Sequence, residues 1–217
     1  MPRRFRDRVH AGVELAERLA AYKRSRGFQG SDGIVLGLPR GGVAVAAPVA
    51  QALDLPLDAF VVRKVGVPHH EELAMGAVAP GGIVVWNDDV LAMARVSDDR
   101  RDEAVGRERA ELERRVRAYR GDREPVAVQG LHVIVVDDGL ATGATMSAAV
   151  TALQSMDPAQ LVVAVPVAPR ASLDSFARRV DAVVSVVVTD HFGSVGEWYD
   201  DFSATTDAEV VALLRGD

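Results

Sequence analysis

The chain contains no cysteine, which excludes disulfide bonds and thiolate metal sites. It has no apolar run of membrane-spanning length and no excess of positive charge, since 31 acidic residues outnumber 25 basic ones and the net charge is −6. Its start is basic but has no apolar signal core and no small-residue cleavage site, so we expect no secretion signal. We therefore expect a cytoplasmic protein that binds small molecules, with no nucleic-acid or membrane partner.

Short β-branched runs with nearly continuous hydrophobicity are the main fold signal. Such runs are typical of strands buried on both faces of a parallel sheet, and helical patterns at 43–53, 144–155 and 170–180 lie between them. We predict an α/β fold, a doubly wound and mostly parallel sheet, in one domain over residues 1–217. The runs are "GIVLGLP" (33–39), "DAFVVRK" (58–64), "LHVIVVDD" (131–138), "QLVVAVPV" (160–167) and "DAVVSVVV" (181–188).

One segment, residues 98–124, interrupts this alternation with nine arginines and nine acidic residues. Opposite charges three or four residues apart favour a solvated helix, either exposed or packed on a second subunit. We place it in a helical insertion over about 87–124. The chain closes with a short helix that Thr206 or Asp207 is expected to cap.

The stretch "VIVVDDGLATGATM" places two carboxylates directly before a Gly- and Thr-rich turn that opens a helix. Such a turn binds anions through backbone N–H groups, but it is neither a Walker loop nor a GxGxxG motif. Two acids would repel a ligand that is only phosphate. A phosphorylated sugar fits, because Asp137 and Asp138 can accept hydrogen bonds from its hydroxyls or hold Mg²⁺. The alternative is that the acids only end the strand and cap the helix.

This stretch resembles the 5-phosphoribosyl-1-pyrophosphate (PRPP) motif of the type I phosphoribosyltransferases. The resemblance implies that Asp137 and Asp138 bind the ribose hydroxyls and, indirectly through PRPP, Mg²⁺. It implies also that a turn cradles the 5′-phosphate of PRPP. The residues of this turn are Ala141, Thr142, Gly143, Ala144 and Thr145.

Two further stretches fit a pyrophosphate site. "GLPRGG" follows the first strand and supplies Arg40, Gly41 and Gly42, although such residues are also ordinary turn formers. The resemblance implies a strained or cis peptide at Arg40 or Gly41. "VVRKVGVPHHEELAMGAV" resembles the loop that covers PRPP in adenine phosphoribosyltransferases, so Arg63 and Lys64 are assigned to pyrophosphate and the loop 64–80 to the exclusion of water.

The acceptor is not defined by the motif. Ala141 stands where the 6-oxopurine branch carries an acid. In place of the general acid or base of the adenine branch, Glu71 and Glu72 are displaced candidates, of which Glu72 is assigned to the site. The resemblance implies a hood over the acceptor, which we place at about 189–217. Phe192 and Trp198 are its candidate pocket residues, although they could equally form the hood's own small core.

The leading hypothesis is a magnesium-dependent phosphoribosyltransferase of nucleotide metabolism. It would transfer the phosphoribosyl group of PRPP to a nitrogen acceptor with release of pyrophosphate, and catalysis would rest on Arg40, Lys64, Asp137, Asp138 and Glu72. The alternatives are a non-catalytic PRPP or nucleotide sensor on the same fold and a generic sugar-phosphate protein. Dimers are common in the family, so a homodimer is a further expectation.

Overall fold

The computed structural model describes residues 4–26, 32–121, 123 and 127–216. Within these ranges no helix is both long enough and apolar enough to cross a membrane. The helices are α1 Arg8–Arg26, α2 Gly41–Leu53, α3 Asp88–Ala94, α4 Asp98–Arg120, α5 Ala144–Gln154, α6 Arg170–Ala177 and α7 Asp207–Arg215. The strands are β1 Gly33–Gly37, β2 Leu57–Ala59, β3 Arg63–Val67, β4 His70–Val78, β5 Val84–Trp86, β6 His132–Val136, β7 Gln160–Pro169 and β8 Ala182–Thr189.

The main sheet has five parallel strands in the order β2-β1-β6-β7-β8. The central strands are covered on both faces, as β6 illustrates: Val133 and Val135 belong to one buried cluster, while Ile134 and Val136 belong to another. The edge strand β8 is only half-buried. This confirms the α/β fold predicted from the apolar runs. The strand order reverses between β1 and β6, and the crevice at such a reversal, outside the carboxyl ends of the strands, is where open α/β sheets bind ligands.

The run "DAFVVRK", predicted as one strand, is divided between two sheets. Residues 57–59 form β2 at the edge of the main sheet, whereas β3 starts at Arg63 and pairs with β4 in an antiparallel sheet of order β3-β4-β5. The loop predicted over 64–80 is therefore largely a hairpin. Its inward side chains, Val65, Val67 and Met75, are buried in a cluster with α4 and α7, and this burial explains why the segment is regular.

Helix α4 is not the wholly solvated helix that its charges predicted. One face is buried through Ala104, Val105 and Leu112. At its end Arg120 forms a buried ion pair with Asp58, at 2.8 Å between Nη2 and Oδ2 and 3.0 Å between Nε and Oδ1. Outer-face arginines pair with acids three or four residues away, as expected. The helix thus packs on its own chain. Positions 122 and 124 of the charged segment lie outside the described residues.

The C-terminal region is joined to the start of the chain. Phe5 pairs with Tyr199: its N–H donates to the Trp198 carbonyl at 2.8 Å, and its carbonyl accepts from the Asp200 N–H at 2.8 Å. A short 3₁₀-helix over Val195–Trp198 precedes this contact. Helix α7 begins with a capping box in which Thr206 is the N-cap, in agreement with the expectation from sequence.

Candidate active site

Two loops meet at the crevice between β1 and β6. Leu38, after β1, donates its N–H to the carbonyl of Val136, the last residue of β6, at 2.8 Å. The next turn lies directly against the two acids. A Cβ at Gly41 would overlap the Asp138 carboxylate, and one at Gly42 would lie 2.6 Å from the Val136 carbonyl oxygen and 2.9 Å from the Asp137 Cα. Only glycine allows this approach, so "GLPRGG" and "VVDDGLATGATM" form one continuous surface.

The two acids occupy a desolvated position. Burial, and then repulsion from Asp138, raise the pKa of Asp137 well above its ordinary value. Burial also raises the pKa of Asp138, but the Arg8 guanidinium opposes this shift by hydrogen bonding to the carboxylate. Asp137 Oδ1 accepts the Asp138 N–H at 2.9 Å, which fixes the first carboxylate against the backbone. Such shifts are common where charged groups are held for binding or catalysis.

The predicted phosphate turn follows immediately. Gly143 has φ 71° and ψ 9°, the left-handed conformation, and is the N-cap of α5. Ala141, Thr142 and Ala144 are exposed, whereas Leu140 and Met146 on either side are buried and anchor the turn. Exposed backbone groups at the start of an eleven-residue helix suit an anion. The hydroxyl of Thr142 contacts the Ala144 N–H at 3.5 Å, so it lies beside that helix start.

Arg40 lies on the rim of the joined loops. The peptide bond between Pro39 and Arg40 is cis, at one of the two positions that the resemblance implied. The guanidinium is about half exposed and lies 3.9 Å from the Asp207 carboxylate at the start of α7. This contact is long and solvated, so Arg40 keeps the freedom to turn to an anionic ligand.

The two basic residues of β3 point to different surroundings. Arg63 forms an ion pair with Glu108 of α4, at 2.8 Å between Nη2 and Oε2, so its guanidinium is bound within the protein. Lys64 is exposed and lines a cavity of about 520 Å³ together with Trp86 of β5 and with Ala144 and Ser147 of α5. The structure therefore brings Lys64 to the flank of α5, the helix that begins at the predicted phosphate turn.

The remaining predicted residues lie apart from the acids. Glu72 is exposed on β4. Phe192 and Trp198 stack on each other, with ring centroids 6.5 Å apart and planes 19° apart, and they pack against a small core that contains Phe5 and Tyr199. Tyr199 itself is buried, and its hydroxyl donates to the Asp138 carbonyl oxygen. The C-terminal aromatics thus adjoin the acids through Tyr199.

The sequence and the fold of this chain are similar to those of known proteins. The sequence profile of the phosphoribosyl transferase domain matches residues 7–201. This chain belongs to the phosphoribosyltransferase family. A curated relative in two strains of Mycobacterium tuberculosis, named "Putative phosphoribosyl transferase", is 41% identical over 97% of this chain. A solved structure, TT1426 from Thermus thermophilus, is 43% identical, covers 97% of both chains and superposes with a TM-score of 0.84. The chain spans 46% of the length of the curated relatives.

One residue in direct contact with one of the two acids was missed by sequence reasoning. Arg8, in the first turn of α1, donates from Nε to Asp138 Oδ2 at 2.9 Å and from Nη1 to the Ser203 carbonyl at 2.6 Å. Its guanidinium lies 4.0 Å from the centre of the Phe202 ring. The two partners of the ion pair are 130 positions apart in sequence, and the basic start of the chain gave no signal beyond its charge.

Asp137 and Asp138 could bind Mg²⁺ only if a bound ligand supplied further oxygen atoms to the cation. Among the described residues no group of three or more His, Cys, Asp or Glu side chains gathers to hold a metal. Asp137 and Asp138 therefore supply at most two carboxylates, and Oδ2 of Asp138 already accepts from Arg8. Mg²⁺ commonly binds through one or two carboxylates and completes its shell with water and substrate phosphates. This donor set suits a cation that arrives with a polyphosphate.

Proposed function

We propose that this phosphoribosyltransferase-family chain transfers the phosphoribosyl group of PRPP to a nitrogen acceptor and releases pyrophosphate. One observation carries the proposal. Two desolvated carboxylates and an exposed turn follow the same strand, and the glycine pair at the start of α2 lies directly against the acids. The arrangement offers acceptors for ribose hydroxyls beside donors for a phosphate, and the start of α2 adjoins the acids.

In this reaction the acceptor nitrogen forms a bond to the anomeric carbon of ribose, and the bond from that carbon to the pyrophosphate oxygen breaks. The electron pair leaves with pyrophosphate, and the nitrogen gives its proton to a base or to water. Asp137 and Asp138 would hold the ribose hydroxyls, while the turn 141–145 would hold the 5′-phosphate. Holding the sugar at both ends fixes the reacting carbon relative to the leaving group, which lowers the entropic part of the barrier.

The leaving group needs positive charge on the other side of the ribose. Arg40 fits this role because its guanidinium is half exposed and only loosely paired with Asp207. Gly41 and Gly42 would offer backbone N–H groups of the α2 start. Mg²⁺, bound with PRPP, would neutralise charge that develops on pyrophosphate. Lys64 would contribute to phosphate binding from the flank of α5, where its cavity lies.

The proposed acceptor pocket is inferred from the kinds of side chain near the acids. The stacked rings of Phe192 and Trp198 present a flat apolar surface close to Tyr199, which suits a planar nitrogen heterocycle. Ala141 offers no carboxylate within the phosphate turn for handling a purine proton. Glu72 remains a proposed general acid or base that would have to approach with its strand, since it lies exposed on β4.

The test is a screen of nucleobases and small amines for PRPP-dependent pyrophosphate release with Mg²⁺. At least one acceptor is expected to release pyrophosphate, and Arg40→Ala is expected to slow the release by at least about tenfold because it removes a charge-assisted contact to the leaving group. Arg109→Ala, an exposed arginine of α4, is the matched control. Tight PRPP binding without release for any acceptor would instead favour the sensor hypothesis.

A further inference from the structure

Arg8 connects three parts of the chain that sequence separates. It lies in the first turn of α1, its Nε contacts the second acid of the proposed ribose site, and its Nη1 contacts the C-terminal segment at Ser203. Its side chain is only 12% exposed and that of Asp138 is 16% exposed, so this ion pair is largely removed from water. Charge-assisted hydrogen bonds of this kind are strong and directional.

We propose that Arg8 is a positioning residue for the reaction: it holds Oδ2 of Asp138 and the segment 199–203 in one fixed arrangement, so that the remaining carboxylate oxygens are aimed at the ribose. This inference rests on the proposed function. Asp138 is held from a second side as well, because Tyr199 donates its hydroxyl to the Asp138 carbonyl oxygen. The acid is thus oriented by the start of the chain and by its C-terminal region together.

The short segment around Phe5 makes this arrangement rigid. The Phe5 carbonyl accepts from the Asp200 N–H and the Arg6 carbonyl accepts from the Asp201 N–H, each at 2.8 Å. The Phe5 side chain is fully buried beside Tyr199, with ring centroids 5.5 Å apart. The backbone that precedes Arg8 is therefore held by these hydrogen bonds, and the Phe202 ring further restricts the guanidinium. A side chain held at both ends can orient a carboxylate with little entropic cost on binding.

The shape of the guanidinium matters as much as its charge. Nε and Nη1 donate to two acceptors in different parts of the chain, and the planar fork places both donors at once. A lysine at this position would carry the same charge on one nitrogen and would lack the planar group that lies over the Phe202 ring. Arg8→Lys should therefore recover only part of what Arg8→Ala loses. If Arg8 acted only through its charge, Arg8→Lys should instead restore the full affinity for PRPP.

The experiment measures PRPP affinity by calorimetry for wild type, Arg8→Ala, Arg8→Lys and Arg6→Ala. Arg6 lies two residues earlier with an exposed side chain, so its replacement removes the same charge without touching Asp138. We expect Arg8→Ala to weaken binding by about tenfold or more, Arg8→Lys to fall between it and wild type, and Arg6→Ala to stay within about twofold. Wild-type affinity in Arg8→Ala would overturn the inference, and so would full recovery in Arg8→Lys.

A double-mutant cycle shows whether Arg8 acts through Asp138. In an Asp138→Asn background, Arg8→Ala should weaken PRPP binding by much less than it does in wild type. Equal losses in both backgrounds would overturn the positioning role. Hydrogen exchange of the ligand-free protein keeps this inference separable from the proposed function. Arg8→Ala should speed exchange of the amides at 138–140 and 199–201, and unchanged exchange there would contradict the inference even if wild type fails to bind PRPP.

Discussion

Replacement of Gly42 by alanine would force apart the two loops that build the site. The added Cβ would lie 2.6 Å from the Val136 carbonyl oxygen and 2.9 Å from the Asp137 Cα. Both neighbours are backbone atoms at the end of β6, so neither can rotate away as a side chain could. Overpacking of this kind costs about 1–3 kcal/mol. Alanine near a helix start recovers part of this through helix propensity, and we expect a net loss of about 1–2 kcal/mol.

Gly106 provides the matched control. It lies inside α4, and nothing stands within 4 Å of the position its Cβ would take. Gly106→Ala should therefore raise the free energy of unfolding by about 0.5–1 kcal/mol, which is the helix-propensity gain alone. The same substitution is thus predicted to lower the free energy of unfolding at Gly42 and to raise it at Gly106, and the two variants should differ by about 1.5–3 kcal/mol.

The assay is urea unfolding followed by circular dichroism at 222 nm, with the slope of the transition checked for constancy across variants. Gly42→Ala should also weaken PRPP binding, because any relief of the clash moves Asp137 or the start of α2. If Gly42→Ala were as stable as Gly106→Ala, the glycine turn would not lie at the distances described. The shared surface on which the proposed site depends would then be wrong.

Two other substitutions test the electrostatic description. Burial raises the pKa of Asp137 in the folded state, so stability should fall as pH rises from the ordinary pKa of an aspartate to that raised value. Asp137→Asn should remove the larger part of this fall, leaving the part due to Asp138, and should unfold at a higher temperature than wild type at pH 8. An equal or lower melting temperature would contradict the raised pKa. Asp58→Ala should cost about 3–5 kcal/mol in urea unfolding because it leaves Arg120 buried and unpaired, whereas Glu103→Ala, from an exposed pair, should cost under about 0.5 kcal/mol. Similar losses in both variants would refute the distinction.

The sequence was most informative where function depends on neighbours in the chain. Asp137, Asp138 and the turn after them are consecutive, so their chemistry could be recognised without knowing how the chain folds. The continuous apolar runs predicted a parallel sheet buried on both faces, and "GLPRGG" could be recognised directly after its first strand. These predictions agree with the strand order and with the contact between the two loops.

The sequence was least informative where a feature depends on contacts between residues that are far apart in the chain. "DAFVVRK" reads as one strand, but β2 ends at Ala59 and β3 begins at Arg63 in a different sheet, a break that the unbroken apolar pattern does not reveal. Arg8 could not be identified from the sequence because its hydrogen-bond partners, Asp138 and Ser203, lie 130 and 195 positions away. The buried pair of Asp58 and Arg120 was hidden for the same reason, since Arg120 stands among arginines that pair locally on the helix surface.

The most direct test of the central claim is calorimetric titration of PRPP with Mg²⁺ into wild type and into the double variant Asp137→Asn, Asp138→Asn. Asp98→Asn, Asp99→Asn is the control, since it removes two adjacent, exposed acids at the start of α4. We predict micromolar or tighter binding by wild type and by the control, and a loss of about a hundredfold or more in the site variant, because two charged hydrogen-bond acceptors are neutralised. Unchanged affinity in the site variant would contradict the assignment of these acids to the phosphoribosyl group.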